Sequence, residues 1–349
     1  MKAAVLNQGR MVLRDDVAEP VPAQNQVLVQ VKACGICGSD LHFAKHGRRM
    51  LELGAEMTSG GLTSAGLAGG LDLDRDVFMG HEFAAEVLEV GPDTETPLGA
   101  GSLVTSIPIL FGPGGIEPIV YSNTTIGGYA ERMLLSSFML LEVPNGLDAS
   151  RAALTEPMAV GLHAVNRSNI APGEAAVVLG CGPVGLSVIA ALRMKGVGPI
   201  LAADFSPARR DLAIRLGAHE AVDPKEETAW AAWARSGRGG SAVVFEAIGV
   251  PGIINDIMRS APGGSRVVVV GVCMEADTFT PFFGISKELN MQFVLGYEPA
   301  EFAESLRAIA EGDIDVAPLV TAEVGLDRVG WAFDALGDPE QHCKIVVTP

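Results

Sequence analysis

The stretch ACGICGSDLH, running from Ala33 to His42, places two cysteines, a serine, an aspartate and a histidine within ten residues. Three chemistries use such a set: a redox thiol pair, half of a structural zinc site, or one corner of a catalytic metal site. A structural site would need a second cysteine pair, yet no cysteine lies between Cys37 and Cys181. A redox C-x-x-C opens a helix in a small fold, whereas Gly35 and Gly38 interrupt this segment. One sulfur still serves a catalytic site whose other ligands come from farther along the chain. MGHEF offers His81 and Glu82, and LTEPMAVGLHAV offers Glu156. A lone histidine is more often a core or surface residue than a ligand. Three such fragments together fit a catalytic zinc, which takes three protein ligands of mixed type and keeps a fourth position open.

A second constellation lies in AAVVLGCGPVGLSVIAALRMKGVGPILAADFSPARR. Ala175 to Leu179 is an apolar, β-branched run that reads as a buried strand. Gly180, Gly182 and Gly185 then give G-x-G-x-x-G, and an apolar helical pattern follows from Val184 to Met194. In such a motif the first glycine allows a tight turn, the second lets a pyrophosphate approach, and the third packs helix on strand. The helix N-terminus offers unpaired N–H groups to phosphate. Asp204 ends the next strand, Ile200 to Ala203, where a carboxylate would accept hydrogen bonds from ribose hydroxyls. That carboxylate favours NAD and repels the 2′-phosphate of NADP. Arg209 and Arg210 follow closely and read as a solvated helix face, with Arg209 the better placed to meet a 2′-phosphate.

These residues need elements to hold them. The chain has 349 residues, which suggests two domains. Strands at Ala242 to Phe245 and Arg266 to Val270, separated by helical stretches, predict a doubly wound parallel sheet. Gly54 to Gly70, rich in Gly, Ser, Thr and Ala, reads as a mobile loop and a lid or wall of the substrate pocket. The formal net charge of −17 argues against nucleic acid and anionic lipid as partners. No apolar run is long enough for a membrane helix, and the N-terminus lacks the h-region of a signal peptide. A cytoplasmic location is the expectation, with the five cysteines as thiols or ligands.

The motifs MKAAVL, CGICGSDLH, GHEF, TEPMAVGLHAV, VLGCGPVG, FEAIG and KIVVTP occur in this order along nearly the whole chain. In this the chain resembles the zinc-dependent medium-chain dehydrogenase/reductase superfamily, in particular the sorbitol, threonine and butanediol dehydrogenase branch. The resemblance implies an α/β fold in which a Rossmann NAD-binding domain (158–297) is inserted into a GroES-like, β-rich catalytic domain (1–157, completed by 298–349). It places the active site in the cleft. It implies Cys37 and His81 as zinc ligands, Glu156 as the third, and Glu82 as a carboxylate that coordinates or exchanges with water. Which glutamate binds at rest stays open. Ser39 would contact the substrate oxygen, His42 would pass the proton to solvent, and Asp40 would orient the histidine ligand. Cys34 has no matching role and reads as a packed thiol. Pro183, Val184, Val270 and Gly271 would join the glycines, Asp204 and Arg209 in holding the dinucleotide.

Many relatives carry a four-cysteine lobe with a structural zinc. The corresponding region here, Pro92 to Thr125, has no cysteine, so one catalytic zinc and no structural zinc are expected. The implied reaction is hydride transfer between a secondary alcohol or polyol and NAD, giving a ketone or aldehyde. The alternatives are a zinc-free NAD(P)H-dependent reductase of activated double bonds and a non-enzymatic dinucleotide-binding protein. A homodimer or homotetramer is the family's usual assembly, with Phe293 to Leu295 as a sheet edge that subunits could share.

Overall fold

The computed structural model describes residues 1–59, 71–112, 115–237 and 240–349. The chain divides into two units: 1–156 with 320–338 and 344–349, and 157–319 with 339–343.

The first unit is built on a seven-stranded sheet whose centre is the ten-residue strand Gln26–Gly35. Its sequence, QVLVQVKACG, buries most side chains on both faces, as a strand enclosed by other layers should. Glu82–Val90 runs antiparallel to it on one side, with Gly35 opposite Glu82. The C-terminal strand Lys344–Val347 pairs with its end, Val347 opposite Cys34 and Val346 opposite Gly35. Two stretches far apart in sequence therefore flank the segment that leads into Cys37. A smaller four-stranded sheet joins Arg10–Arg14, Ala3–Asn7, Val77–Met79 and Tyr121–Ser122. It brings Met79 opposite Tyr121. Within the region expected to lack a metal lobe, Ile109–Gly112 and Gly115–Pro118 form a two-stranded ladder.

The helix that follows Cys37 is longer than the sequence reading allowed. It spans Gly38–Ser59 with a kink at His46, so residues 54–59 of the expected loop are helical. The run Leu51, Glu52, Leu53, Ala55, Glu56 and Met57 consists of good helix formers, and they outweigh Gly54. The rest of that expected loop and lid, 60–70, lies outside the described residues.

The second unit carries a six-stranded, all-parallel sheet. Its order is Glu220–Val222, Ile200–Ala203, Ala176–Leu179, Val243–Glu246, Arg266–Val269, Asn290–Phe293. Counted along the chain this is 3-2-1-4-5-6, the doubly wound arrangement that binds dinucleotides at the reversal point. Four-residue strands such as AVVL and ILAA are buried throughout, as helices on both faces require. The helix Pro299–Glu311 packs within this unit, not in the first one as the sequence reading had it. Glu301 anchors it: its carboxylate accepts the Asn166 amide at 2.8 Å and lies 2.8 Å from His163 Nδ1. Among the described residues no helix is long and apolar enough to cross a membrane.

Candidate metal centre

The strand Gln26–Gly35 ends where a side chain cannot be tolerated. A methyl at Gly35 would overlap the Glu82 carboxylate, which lies across its α-carbon. The chain then turns through Ile36, whose N–H donates to the Ile345 carbonyl at 3.0 Å, and delivers the half-buried Cys37. Asp40, in the first helical turn, accepts the Cys37 N–H through Oδ2 at 3.1 Å. The same oxygen accepts the Tyr129 hydroxyl at 2.6 Å. Asp40 and Tyr129 are both buried, so this carboxylate fixes the start of the helix from inside the protein.

His81 immediately precedes the neighbouring strand and Glu82 begins it, and both are buried. Ligand atoms of Cys37, His81 and Glu82 all lie within 4.8 Å of one another, the one such group among the described residues. The Nδ1 of His81 stands 3.5 Å from Asp40 Oδ1, and neither atom has a hydrogen-bond partner. Burial alone would push the His81 pKa down. Asp40, the hydrogen bond and charge of Cys37, and the charge of Glu156 outweigh it and raise that pKa well above its ordinary value. A basic imidazole facing a thiol and a carboxylate is a donor set that suits zinc. Asp40 behind Nδ1 gives the carboxylate support usual for a metal-bound histidine. Glu156 sits in the first turn of the helix Thr155–Arg167, where the helix dipole favours negative charge. The residues fit the metal.

Glu82 stands with Cys37 and His81, as the sequence reading allowed, and it also has a partner that the sequence reading did not give it. Lys344 Nζ donates to both of its oxygens at 2.7 Å and to the Ile36 carbonyl at 3.0 Å. Lys344 is only 2% exposed, and Glu82 is fully buried. The carboxylate thus faces an ammonium group as well as the Cys37 and His81 donors, and the charge of Glu156 also acts on His81. Sequence reasoning missed Lys344, and also Tyr129. The visible signal for the lysine was a charged residue opening the otherwise apolar KIVV.

Ser39 and His42, the pair expected to handle the proton, lie on the helix Gly38–Ser59. Ser39 is half-buried and His42 is exposed, three residues later on the same face. Partial burial, then the positive neighbours His46 and Lys45, keep the His42 pKa below its ordinary value. Cys34 is fully buried, and burial, then Asp40 and Glu82, push its thiol pKa well up. A helix does open after Cys37, as a redox pair would want, but a thiol sealed in this way is inert.

In the second unit the glycine motif is drawn tight. A side chain at Gly185 would strike the Gly180 carbonyl, whereas the space beside Gly182 is open. Pro183 and Val184 start the helix Pro183–Met194, which leaves its first N–H groups free of intrahelical partners. Asp204 accepts the Cys181 N–H at 2.7 Å through one oxygen and the Ser206 N–H at 2.8 Å through the other. Arg210 is tied to the Asp204 and Phe205 carbonyls and to Asp223. The Nε of Arg209 is buried and has no partner. Val270 and Gly271 both donate backbone N–H groups to the Glu246 carbonyl at 2.9 Å, at the end of their strand.

Residues 23–145 match the family model described as alcohol dehydrogenase GroES-like domain, and 183–311 match the one described as zinc-binding dehydrogenase. The chain is 32% identical to (R,R)-butanediol dehydrogenase of Bacillus subtilis (strain 168), with all of both chains covered. The crystal structure of 2R,3R-butanediol dehydrogenase from Bacillus subtilis superposes with a TM-score of 0.81 at 30% identity, over 100% of this chain and 99% of that one. A putative zinc-binding dehydrogenase from Sinorhizobium meliloti 1021, bound to NADP, gives 0.80 at 27% identity, over 100% and 99% of the chains.

Proposed function

The chain belongs to the zinc-binding alcohol dehydrogenases of the medium-chain superfamily, and on that premise we propose that it interconverts a secondary alcohol or polyol with its carbonyl using NAD. Membership carries the coarser statement: this is an alcohol oxidoreductase that uses zinc and NAD(P). The observation that supports the reading most directly is the convergence of Cys37, His81 and Glu82 within 4.8 Å, backed by Asp40. Cys37, His81 and Glu156 would hold the metal, with Glu82, which is paired with Lys344, beside them. Zinc would supply Lewis acidity that lets an alcohol lose its proton near neutral pH. Ser39 Oγ would take that proton, and the exposed His42 would pass it to solvent. The dinucleotide would supply the hydride acceptor, held by Gly180, Gly182, Gly185 and Asp204.

NAD is the preferred form in this reading, because Asp204 keeps a carboxylate where a 2′-phosphate would sit. One zinc per chain follows from the lack of cysteine between Pro92 and Thr125. Retention of all three donors speaks against the zinc-free reductase and against a non-enzymatic role. A homodimer or homotetramer is also proposed. The edge strand Asn290–Phe293 leaves Phe293 67% and the following Leu295 86% exposed, an apolar sheet edge that a second copy would cover. The test is metal analysis combined with turnover on 2,3-butanediol, sorbitol and xylitol, each with NAD and NADP. Protein that binds no zinc, or turns over no alcohol with either cofactor, would remove the proposal; a single-chain mass in solution would remove the assembly.

A further inference from the structure

Glu246 ends the strand Val243–Glu246, where the strand order of the second unit reverses. Leu179, the residue before the glycine motif, stands opposite it on one side, and Val269 on the other. Glu246 is buried. One carboxylate oxygen accepts the Ile248 N–H at 2.7 Å and the Gly249 N–H at 2.8 Å. Its main-chain carbonyl meanwhile accepts the Val270 and Gly271 N–H groups. One residue therefore holds the turns that leave two adjacent strands. The turns also touch each other, since a methyl at Gly271 would lie 2.5 Å from the Gly249 nitrogen and 2.8 Å from Glu246 Oε2. The first turn rests on the glycine motif as well. A methyl at Gly180 would come within 2.9 Å of the Ala247 carbonyl oxygen and 2.8 Å of the Ile248 side chain.

Two features set this arrangement apart from an ordinary pair of turns. A buried carboxylate is costly, and a neutral acceptor could close the same turn. Hydrogen bonds to an ionised acceptor are roughly twice as strong as neutral ones, so this turn is held more firmly than a neutral group would hold it. What it holds is apolar and faces water: Ile248, Val250 and Val272 are all exposed. Ile248 and Val250 flank Gly249, whose α-carbon lies against the Val272 backbone, so the three side chains belong to one patch. An apolar patch at the carboxyl ends of the strands, beside the reversal point, lies where a doubly wound sheet takes its ligand.

We propose that Glu246 is a positioning residue for the dinucleotide: its carboxylate pins the turn Ala247–Gly249 against Gly180 and keeps Ile248, Val250 and Val272 set for the cofactor. This rests on the reading of the second unit as the dinucleotide-binding half. A turn fixed in advance spares the cofactor the cost of ordering it, so the acid acts on affinity and not on the chemical step.

The experiment is calorimetric titration of NAD into the zinc-loaded full chain, with kcat on 2,3-butanediol at saturating NAD as a second readout. Glu246→Gln keeps the shape and one acceptor oxygen and removes the charge. It should weaken NAD binding about three- to tenfold. Glu246→Ala leaves both N–H groups without their acceptor and should weaken it more than tenfold, with faster amide exchange at Ile248 and Gly249. Both variants should keep kcat and zinc content. Val243→Ala, which hollows the other end of the same strand, should lower the melting temperature and leave NAD affinity alone. Unaltered NAD affinity in Glu246→Gln overturns the positioning role, whatever happens to its melting temperature, and that variant alone decides if Glu246→Ala does not fold. An equal loss of affinity in Val243→Ala, or a loss confined to kcat, also overturns it. If the unaltered protein binds neither NAD nor NADP, the reading of the second unit and this role fall together.

Discussion

Replacing Lys344 with methionine keeps the length of an unbranched side chain and removes the ammonium group. Both Glu82 oxygens then lose a donor at 2.7 Å, and the Ile36 carbonyl loses one at 3.0 Å. The pair is sealed, with side-chain exposures of 2% and 0%, so water cannot replace the lost partner. Removing one member of a buried ion pair costs about 3–5 kcal/mol, because the other charge stays behind uncompensated. At about 2–4 °C per kcal/mol for a unit of this size, melting of the first unit should fall by roughly 6–20 °C. Calorimetry on chelator-treated protein should show the full loss. With zinc restored the loss should be smaller, since Glu82 lies within 4.8 Å of the Cys37 and His81 donors and its freed charge gains a cation to face. Adding Glu82→Gln to Lys344→Met should recover part of the stability by removing the stranded charge. The reasoning fails if Lys344→Met costs less than about 1 kcal/mol, the value of a surface pair, or if the second substitution recovers nothing.

Cys37→Ser should abolish alcohol turnover and lower zinc content while dinucleotide binding persists; full activity in that variant would exclude the metal site. Asp204→Ala should narrow the preference for NAD over NADP, because it removes a charge that opposes a 2′-phosphate, and Arg209→Ala on top of it should restore part of the gap. Equal kcat/KM for the two cofactors in the unaltered enzyme would refute the role given to Asp204. Burial works against a low pKa for Glu301, yet the Glu298 N–H, Asn166 and His163 hold it below the usual carboxylate value. Its stabilisation is therefore fully present above that range and lost as pH falls through the lower folded value. Melting curves of Glu301→Gln and the unaltered protein should accordingly converge toward acid pH, and a constant gap would contradict the linkage.

The second unit was legible because its signals are local. Apolar, β-branched runs bounded by glycine gave strands whose observed ends differ by about one residue, and one turn holds the whole dinucleotide motif. At the candidate metal centre the sequence named Cys37, His81 and Glu82, which come together, but not the partner of Glu82. Nothing near Glu82 announces that its partner stands 262 residues later, because strand pairing across the sheet, not sequence spacing, brings Lys344 there. The helix through residues 54–59 was missed because a glycine was allowed to outweigh its helix-forming neighbours. The helix Pro299–Glu311 was misallocated for a similar reason. Its tie to the second unit runs through Glu301, a residue that reads from sequence as an ordinary N-terminal acid.

The pairing of Lys344–Val347 with Gln26–Gly35 also orders events during synthesis. The ribosome makes Cys37, His81, Glu82 and Glu156 early, then the entire second unit, and only afterwards the strand that neutralises Glu82. Until that strand emerges, the nascent first unit lacks both a pairing partner of Gln26–Gly35 and the counter-charge of Glu82, so its sheet is incomplete. The second unit, whose sheet is built from one continuous stretch of chain, is free to fold first. A ribosome halted before residue 344 would therefore release a finished dinucleotide-binding half joined to an unfinished half that exposes thiols, a form suited to capture by chaperones or proteases.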